Sequence, residues 1–531
     1  MSFTLHKFQK EVIRECIIKG SGGISLPMGS GKTIISITVA LKQTLETEEQ
    51  ILVVLSKSLI GSWEEELSLR FPEISVGVCL TTTQVMNMKR YKVVLVTPGT
   101  LVKWYKLQNI REKVTGLQDY DKISPYTRLC PIEKPVSTGY FYGTTFGTII
   151  VDEAHLYSNI KTYNCQAIYS VHARNRWVLS GTLFAEPRTT NIMGFYYLIG
   201  GNKGIPNTLG EMDVFVSSER FQGVGDKLVA RKENDMFIDR PELIKSVISC
   251  EVSGFDRKVF DFFRKLSTML SNELKSGETD GTLSISQLRG LLAGILCYSR
   301  MAIVCPIIPI SAFLLRSQDY GETISEFIKK SGIEKDLEDE ANLVNHRFRM
   351  IFDLLEKRID DRVIIFCSFS VILHYFRDVA PDFCNGREIF MLESSMSCDK
   401  RTKEISRFKN SKNGVLLLSY QIGTEGLNLQ CANVGIMLDT WWNESKTKQS
   451  VARMFRYGQK KDVHIYMLLS NTMFERTVFQ KHRIKKSCQE FFMDGDRSRL
   501  LNENDGQLTL KSLLDNVEES VEGIDLAKES I

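Results

Sequence analysis

Residues 24–37 read ISLPMGSGKTIISI. A short apolar run leads to Pro27, two glycines bracket Ser30, and Lys32-Thr33 open a second apolar segment. This order predicts a strand, a tight loop and a helix. Glycines at 29 and 31 let backbone N–H groups turn inward around phosphate oxygens, and the helix N-terminus adds partial positive charge. A nucleotide's phosphates would then lie against Met28, Gly29, Ser30 and Gly31. Lys32 would reach the β- and γ-phosphates, and Thr33 would ligate Mg2+. The strict phosphate-loop pattern has Gly five residues before Gly31, where Leu26 stands. Alone, the segment also reads as an ordinary glycine-rich turn.

Further apolar runs follow the same plan. ILVVLS (51–56), KVVLVTP (92–98), GTIIVDEAH (147–155) and RWVLSGT (176–182) are short, β-rich and separated by helical stretches. Nearly continuous apolar strands alternating with helices predict a parallel sheet covered on both faces. Ligands of such sheets bind beyond the carboxyl ends of the strands, so the polar residues after each run are the ones to inspect. The DEAH segment places Asp152 where a Mg2+ partner belongs and Glu153 where it can orient the attacking water. One acidic strand end is commonly just a turn or helix cap. A phosphate loop followed by DEAH, both at strand ends, points to nucleotide binding. Ser180 and Thr182 end a third strand and could sense the γ-phosphate, although in isolation they are ordinary turn residues.

The pattern lapses from about 237 to 342, which reads as helical and charged, and resumes with RVIIFCSF, REIFML, GVLLLSY, VGIMLD and VHIYMLLS. The expected architecture is α/β: two parallel-sheet domains with an intervening helical region. The boundaries expected are 1–232 for the first domain, with an insertion of little periodicity at about 102–145, then 233–340 helical, 341–489 for the second domain, and an acidic tail at 490–531.

A chain of 531 residues is too long for one hydrophobic core, which agrees with more than one domain. Its 43% apolar and 25% charged residues are those of an ordinary globular protein. No apolar run of 18 residues predicts a membrane span, and the first residues lack the apolar core of a signal peptide. An intracellular protein is expected, with nucleus, cytoplasm and viral compartment undistinguished. The 12 cysteines show no CxxC or zinc spacing and read as reduced, buried thiols. The 490–531 segment holds 11 acidic and 4 basic residues, a net −7, which leaves +11 for the body of a chain totalling +4. A basic body suits a polyanion, although many enzymes are mildly basic.

QSVARMFRYGQ (449–459) carries Arg453 and Arg456 among apolar neighbours. On one helix ending near Gly458, Gln449, Arg453 and Arg456 would share a stripe about 60° wide, apart from the apolar Val451, Met454 and Phe455. By itself the stripe is a solvated face. After GSGKT and DEAH it is also the further cation that phosphoryl transfer needs. Arg456 would be the finger on the γ-phosphate, and Arg453 its neighbour.

The order GSGKT, DEAH, SGT and a distant Gln-Arg-Arg element resembles superfamily-two helicases, and finer features resemble their Swi/Snf-type ATPase branch. These features are LHKFQKEVI, VVLSKSLIGSWEEEL with Trp63, VDEAHLYSN with Asn159, LLAGILCYSRMAIVCP, LLLSYQIGTEGLNLQCANVGIMLDTWWN and QSVARMFRYGQ. The likeness runs over roughly 3–480. This chain departs from the family at Leu183, Glu444 and Tyr457, where the family usually has Pro, Pro and Ile. The resemblance implies two tandem RecA-like domains, ATP with Mg2+, Gln9 as the adenine-reading residue, and translocation on double-stranded DNA. It implies phosphate contacts at Ser56, Lys57 and Ser58, at Thr97, Gly99 and Thr100, at Phe369 and Ser370, and from Gly423 and Thr424 to Gly426. Such contacts hold phosphates rather than read bases, so binding should be salt-sensitive. Open alternatives are a strand-separating DNA or RNA helicase, a compact viral transcription-associated NTPase and, remotely, an inactive nucleic-acid-binding scaffold.

Overall fold

The chain divides into Met1–Arg240 with Arg483–Glu503, and Pro241–His482 with Asn504–Ile531. The computed structural model describes residues 5–27, 29–81, 83–114, 139–181, 183–184, 188–201, 205–206, 208–231, 241–276, 284–316, 322–423, 427–440, 444–456, 458–472, 474–476, 478 and 489–495. Met28, Thr182 and Thr424, named above, lie outside the described residues, as do 115–138 and 496–531.

The first unit is built on β1 (Gly22–Ser25), β2 (Ile51–Val54), β3 (Val76–Cys79), β4 (Val93–Val96), β5 (Phe146–Val151), β6 (Ala173–Ser180) and β7 (Leu228–Ala230). They form one sheet in the order β3-β4-β2-β5-β6-β1-β7, every pair parallel. Alternate residues of each strand feed different cores, as the two-residue pleat requires. Leu52, Val54, Val94 and Val96 face one core with Tyr105, Phe141, Tyr142 and Tyr197. Ile51, Val53, Val93 and Leu95 face the other, beneath helices Lys7–Lys19, Lys32–Gln43 and Ile60–Arg70. A sheet buried on both faces explains why its strands read as unbroken apolar runs.

The second unit uses β8 (Leu243–Cys250), β9 (Val363–Cys367), β10 (Ile389–Leu392), β11 (Val415–Ser419), β12 (Val434–Met437) and β13 (Val463–Ser470), in the parallel order β10-β11-β9-β12-β13-β8. Before β9, helices Gly254–Ser276, Ile285–Val304, Ile307–Leu314 and Glu322–Ser331 enclose a core of their own around Phe262, Phe263, Ile295, Phe313 and Ile328.

Three local expectations change. The stretch read as helical from about 237 begins instead with β8, which pairs along its whole length with β13. LIKSVISC lies at a sheet edge and is only half-buried, so it lacks the apolar signature of a central strand. The described residues at the two ends of the expected 102–145 insertion are built into the fold. Helix Pro98–Val114 runs into it, and Tyr140, Phe141 and Tyr142 pack into the core, with the Tyr142 hydroxyl donating to the carbonyls of Leu101 and Ala167 at 3.1 Å each. The acidic C-terminal segment starts with an anchor: Phe491 and Phe492 are buried in the first unit's core, and Val224 N donates to Phe492 O at 2.9 Å. Among the described residues no helix is long and apolar enough to cross a membrane.

Candidate nucleotide and nucleic-acid sites

Three strand ends meet at one edge of the first sheet. Ser25 of β1 pairs with Ser180 of β6, and Val178 of β6 pairs with Val151 of β5, so the GSGKT, SGT and DEAH segments leave adjacent strands on the same side. Gly29 and Gly31 are both left-handed, with φ of +77° and +82°. Gly31 has a second constraint: a Cβ there would lie 2.6 Å from Gln9 Nε2. Gln9 is buried, donates to Ser30 O at 3.0 Å and accepts from His6 N at 3.0 Å through Oε1. In this structure Gln9 therefore buttresses the loop. Lys32 Nζ donates to the carbonyls of Leu26 and Pro27 at 3.0 and 3.2 Å, so the ammonium sits within the loop's own curve. The Ser30 hydroxyl is buried with no hydrogen-bond partner among the described residues. Thr33 lies in the first turn of helix Lys32–Gln43, half-buried.

Asp152 follows β5. Its main-chain N donates to Val54 O on β2 at 2.9 Å, Trp63 Nε1 donates to Oδ2 at 2.9 Å, and Glu153 N donates to Oδ1 at 2.9 Å. Burial, then the neighbouring Glu153 carboxylate, push the Asp152 carboxyl up to about 6, while Trp63 and Lys32 pull it back. Glu153 adopts φ +47°, a left-handed backbone that costs an L-residue about 1 kcal/mol. His155 Nδ1 lies 3.3 Å from Glu153 Oε2 and 2.9 Å from the Ser180 hydroxyl. Left-handed glycines, a hydroxyl with no partner among the described residues and a lysine fit a nucleotide's phosphates, and the buried carboxylate fits a cation bound to them. The oxygen donors suit a hard divalent cation such as Mg2+.

The neighbouring pair of strand ends, β2 and β4, carries the remaining first-unit candidates. Lys57 is exposed, and Ser56 and Ser58 join hydroxyls at 2.9 Å. Thr97 and Thr100 pair hydroxyls at 3.0 Å, but Thr100 is buried and donates to Leu80 O at 3.0 Å. Thr100 therefore fastens its turn, whereas Gly99 is exposed with open space around it.

In the second unit Phe369 and Ser370 start helix Ser370–Val379 after β9. Gly423 ends the short helix Tyr420–Gly423 after β11, where a Cβ would lie 2.9 Å from Ser450 Oγ. The ends of β9, β10 and β11 border a cleft of about 250 Å3 lined by Ser368, Ser370, Ser394, Ser419, Gln421 and Lys446, among others. The arginine stripe needs correction. Helix Glu444–Met454 carries Gln449 and Arg453 but stops before Arg456, and Gly458 takes φ +96°. Gln459 ends it: its side-chain amide donates to Gln430 O, Ala432 O and Met454 O, each at 3.1 Å, and its N–H donates to Arg456 O at 3.0 Å. Arg456 thus stands in a turn clamped by Gln459, not on a helical face with Gln449.

The SNF2-related domain family matches residues 13–198, and the helicase conserved C-terminal domain matches residues 346–458. The chain is a Swi/Snf-type, helicase-like ATPase. Curated relatives of this ATPase include the DNA repair and recombination protein RAD54-like of Drosophila erecta and that of Mus musculus. Each is 24% identical over 94% of this chain, covering 64% and 67% of the relative. The ATPase thus spans about two thirds of the length of those relatives. Similar solved structures include the Sulfolobus solfataricus SWI2/SNF2 ATPase core in complex with dsDNA, at 18% identity and a TM-score of 0.35 over 98% of both chains. Sequence reasoning did not assign His155 as a bridge, Trp63 as a partner of Asp152, or Gln459 as a clamp. The only signal for them was their place inside quoted motifs.

Proposed function

We propose that this ATPase is a motor that translocates on double-stranded DNA, using residues 1–232 and 341–489, separated in the sequence by a helical region, as its two grips. One observation carries the reading most: along the first sheet's carboxyl edge, in the strand order β4-β2-β5-β6-β1, the hydroxyl- and lysine-bearing loops after β4 and β2 continue the row of DEAH, SGT and phosphate-loop strand ends, with β2 directly beside the DEAH strand. The names of the relatives, which speak of DNA repair and recombination, support a DNA substrate.

In this reading Gly29, Ser30 and Gly31 wrap the phosphates of ATP, and Lys32 exchanges its two carbonyl partners for phosphate oxygens. Thr33 and Asp152 are the residues that would hold Mg2+, which when bound draws charge from the phosphate oxygens. Glu153 orients the attacking water, and His155 fixes the Glu153 side chain. Arg456, with Arg453 near it in sequence, supplies the cation required by the departing phosphoryl group. Ser56, Lys57, Ser58, Thr97 and Gly99, then Phe369, Ser370, Gly423 and Thr424, hold DNA phosphates without reading bases.

The test is ATP hydrolysis with duplex DNA, single-stranded DNA or RNA, with Lys32→Ala as the blank, followed by displacement of a third strand from a triplex. Duplex stimulation with triplex displacement is the expected result. Stimulation by RNA alone, or hydrolysis no faster than the blank with every polymer, overturns the reading.

A further inference from the structure

We infer that Trp63 is a positioning residue that couples the DNA-facing loop Ser56–Ser58 to the Asp152 carboxylate. The inference deepens the function proposed above and rests on it. Trp63 is 1% exposed and belongs to helix Ile60–Arg70, one turn after Lys57–Leu59. Its indole N–H donates to Asp152 Oδ2 at 2.9 Å, in an apolar core that includes Ile13, Val53, Leu67 and Leu95. An indole N–H that is buried needs a polar partner. Here the partner is the carboxylate assigned to Mg2+.

A second bond runs in parallel. Asp152 N donates to Val54 O, the last residue of β2. The main chain and the carboxylate of Asp152 are therefore both held by a single stretch, Val54 to Trp63. The residues between those two anchors include Ser56, Lys57 and Ser58, the candidate phosphate contacts. Leu55 N donates to Val96 O at 3.1 Å, which ties the start of the same stretch to β4 and hence to the Thr97–Thr100 turn. Helix Ile60–Arg70 is a rigid lever at this scale. A phosphate that pulls on its first turn shifts Trp63, and the shift is delivered to Asp152 Oδ2 through one hydrogen bond. Partners of a metal-holding carboxylate commonly tune metal affinity by ten- to a hundredfold, roughly, by fixing its orientation.

The experiment compares the full chain with Trp63→Phe, and with a variant carrying β-(3-benzothienyl)alanine at 63, which keeps the indole shape and replaces N–H by sulfur. Mn2+ binding in the presence of ADP is read by electron paramagnetic resonance, and ATPase is titrated with Mg2+ with and without duplex DNA. The expected result is a loss of Mn2+ affinity of about tenfold in both variants. The Mg2+ midpoint rises, kcat falls more than the KM for ATP changes, and the fold-stimulation by duplex DNA drops. If Trp63→Phe fails to fold, the benzothienyl variant alone decides. Parent-like Mn2+ affinity and parent-like DNA stimulation in the folded variant overturn the coupling while leaving the ATPase reading intact. A parent that neither binds Mn2+ with ADP nor hydrolyses ATP overturns both.

Discussion

His155 Nδ1 stands between two groups, hydrogen-bonded to the Ser180 hydroxyl at 2.9 Å and 3.3 Å from Glu153 Oε2. The two partners come from different strand ends, β5 and β6, and Glu153 is held in a left-handed backbone that a free chain would leave. A group that orients water must be held to within a fraction of an ångström, and a misplacement of about 1 Å can reduce rate by about a hundredfold. His155→Ala should therefore lower kcat by about that factor with little change in ATP affinity, read by steady-state kinetics and by binding of a fluorescent ATP analogue. His155→Asn, which restores a short donor, should recover part of the loss.

Gly31 carries two constraints that can be separated. Its φ of +82° costs any L-residue roughly 1–2 kcal/mol, and a Cβ meets Gln9 Nε2 at 2.6 Å. Gly31→Ala should weaken nucleotide binding at least tenfold while the fold persists. Adding Gln9→Ala removes the clash but not the backbone strain, so the double variant should regain affinity only in part. Calorimetric titration with ADP measures both.

Arg456 stands in a turn that Gln459 clamps with three side-chain bonds to carbonyls. Arg456→Ala should leave ATP binding nearly intact and lower turnover by about a thousandfold, as expected for loss of a transition-state cation. Gln459→Ala should produce a milder version of the same kinetic pattern, because the turn loosens while the guanidinium remains. Equal turnover in Arg456→Ala and the parent would return this arginine to a solvated surface.

The second unit holds a buried ion pair, Arg347 with Glu475, at 2.9 Å, with Arg347 also donating to Leu438 O at 2.7 Å. Burial alone would lower Arg347 and raise Glu475. Their pairing reverses both, holding the arginine above and the carboxyl below its ordinary value. A carboxyl lowered by folding contributes stability above its unfolded value, near 4.5, and that contribution is lost as pH falls through the folded value. Arg347→Met strands a buried carboxylate and should cost about 3–5 kcal/mol at pH 7. Without Arg347, burial holds the Glu475 carboxyl above its unfolded value near 4.5, so the variant takes up its proton above that pH and the deficit should already shrink as pH falls from 7 toward 4.5. Adding Glu475→Gln should recover much of it at neutral pH. Urea melts between pH 3 and 7 provide the measurement.

The central strands were legible because each must be apolar on both faces: short β-rich runs such as ILVV and VVLV, bounded by turn residues and alternating with helical stretches, suit a sheet of this kind. GSGKT and DEAH were legible because their chemistry needs particular residues at consecutive positions: glycine for the turn, lysine for phosphate, carboxylates at a strand end. Local order of this sort is written along the chain. Contacts made at long sequence separation are not. Among the described residues, the edge strand Leu243–Cys250 gains its pairing from Val463–Ser470, more than 200 residues on. Phe491 and Phe492 look like the start of an acidic tail until they meet Phe221 and Phe184. The end of helix Glu444–Met454 was misjudged by periodicity because Gln459 finds carbonyls of the 430–432 loop. By itself the sequence determined the two parallel sheets and singled out the candidate nucleotide-binding residues, since both follow from short-range pattern and composition. Only the tertiary structure decided that Trp63 grips Asp152 and that His155 meets Ser180 of the neighbouring strand, because contacts between residues distant in sequence depend on how helices and strands pack.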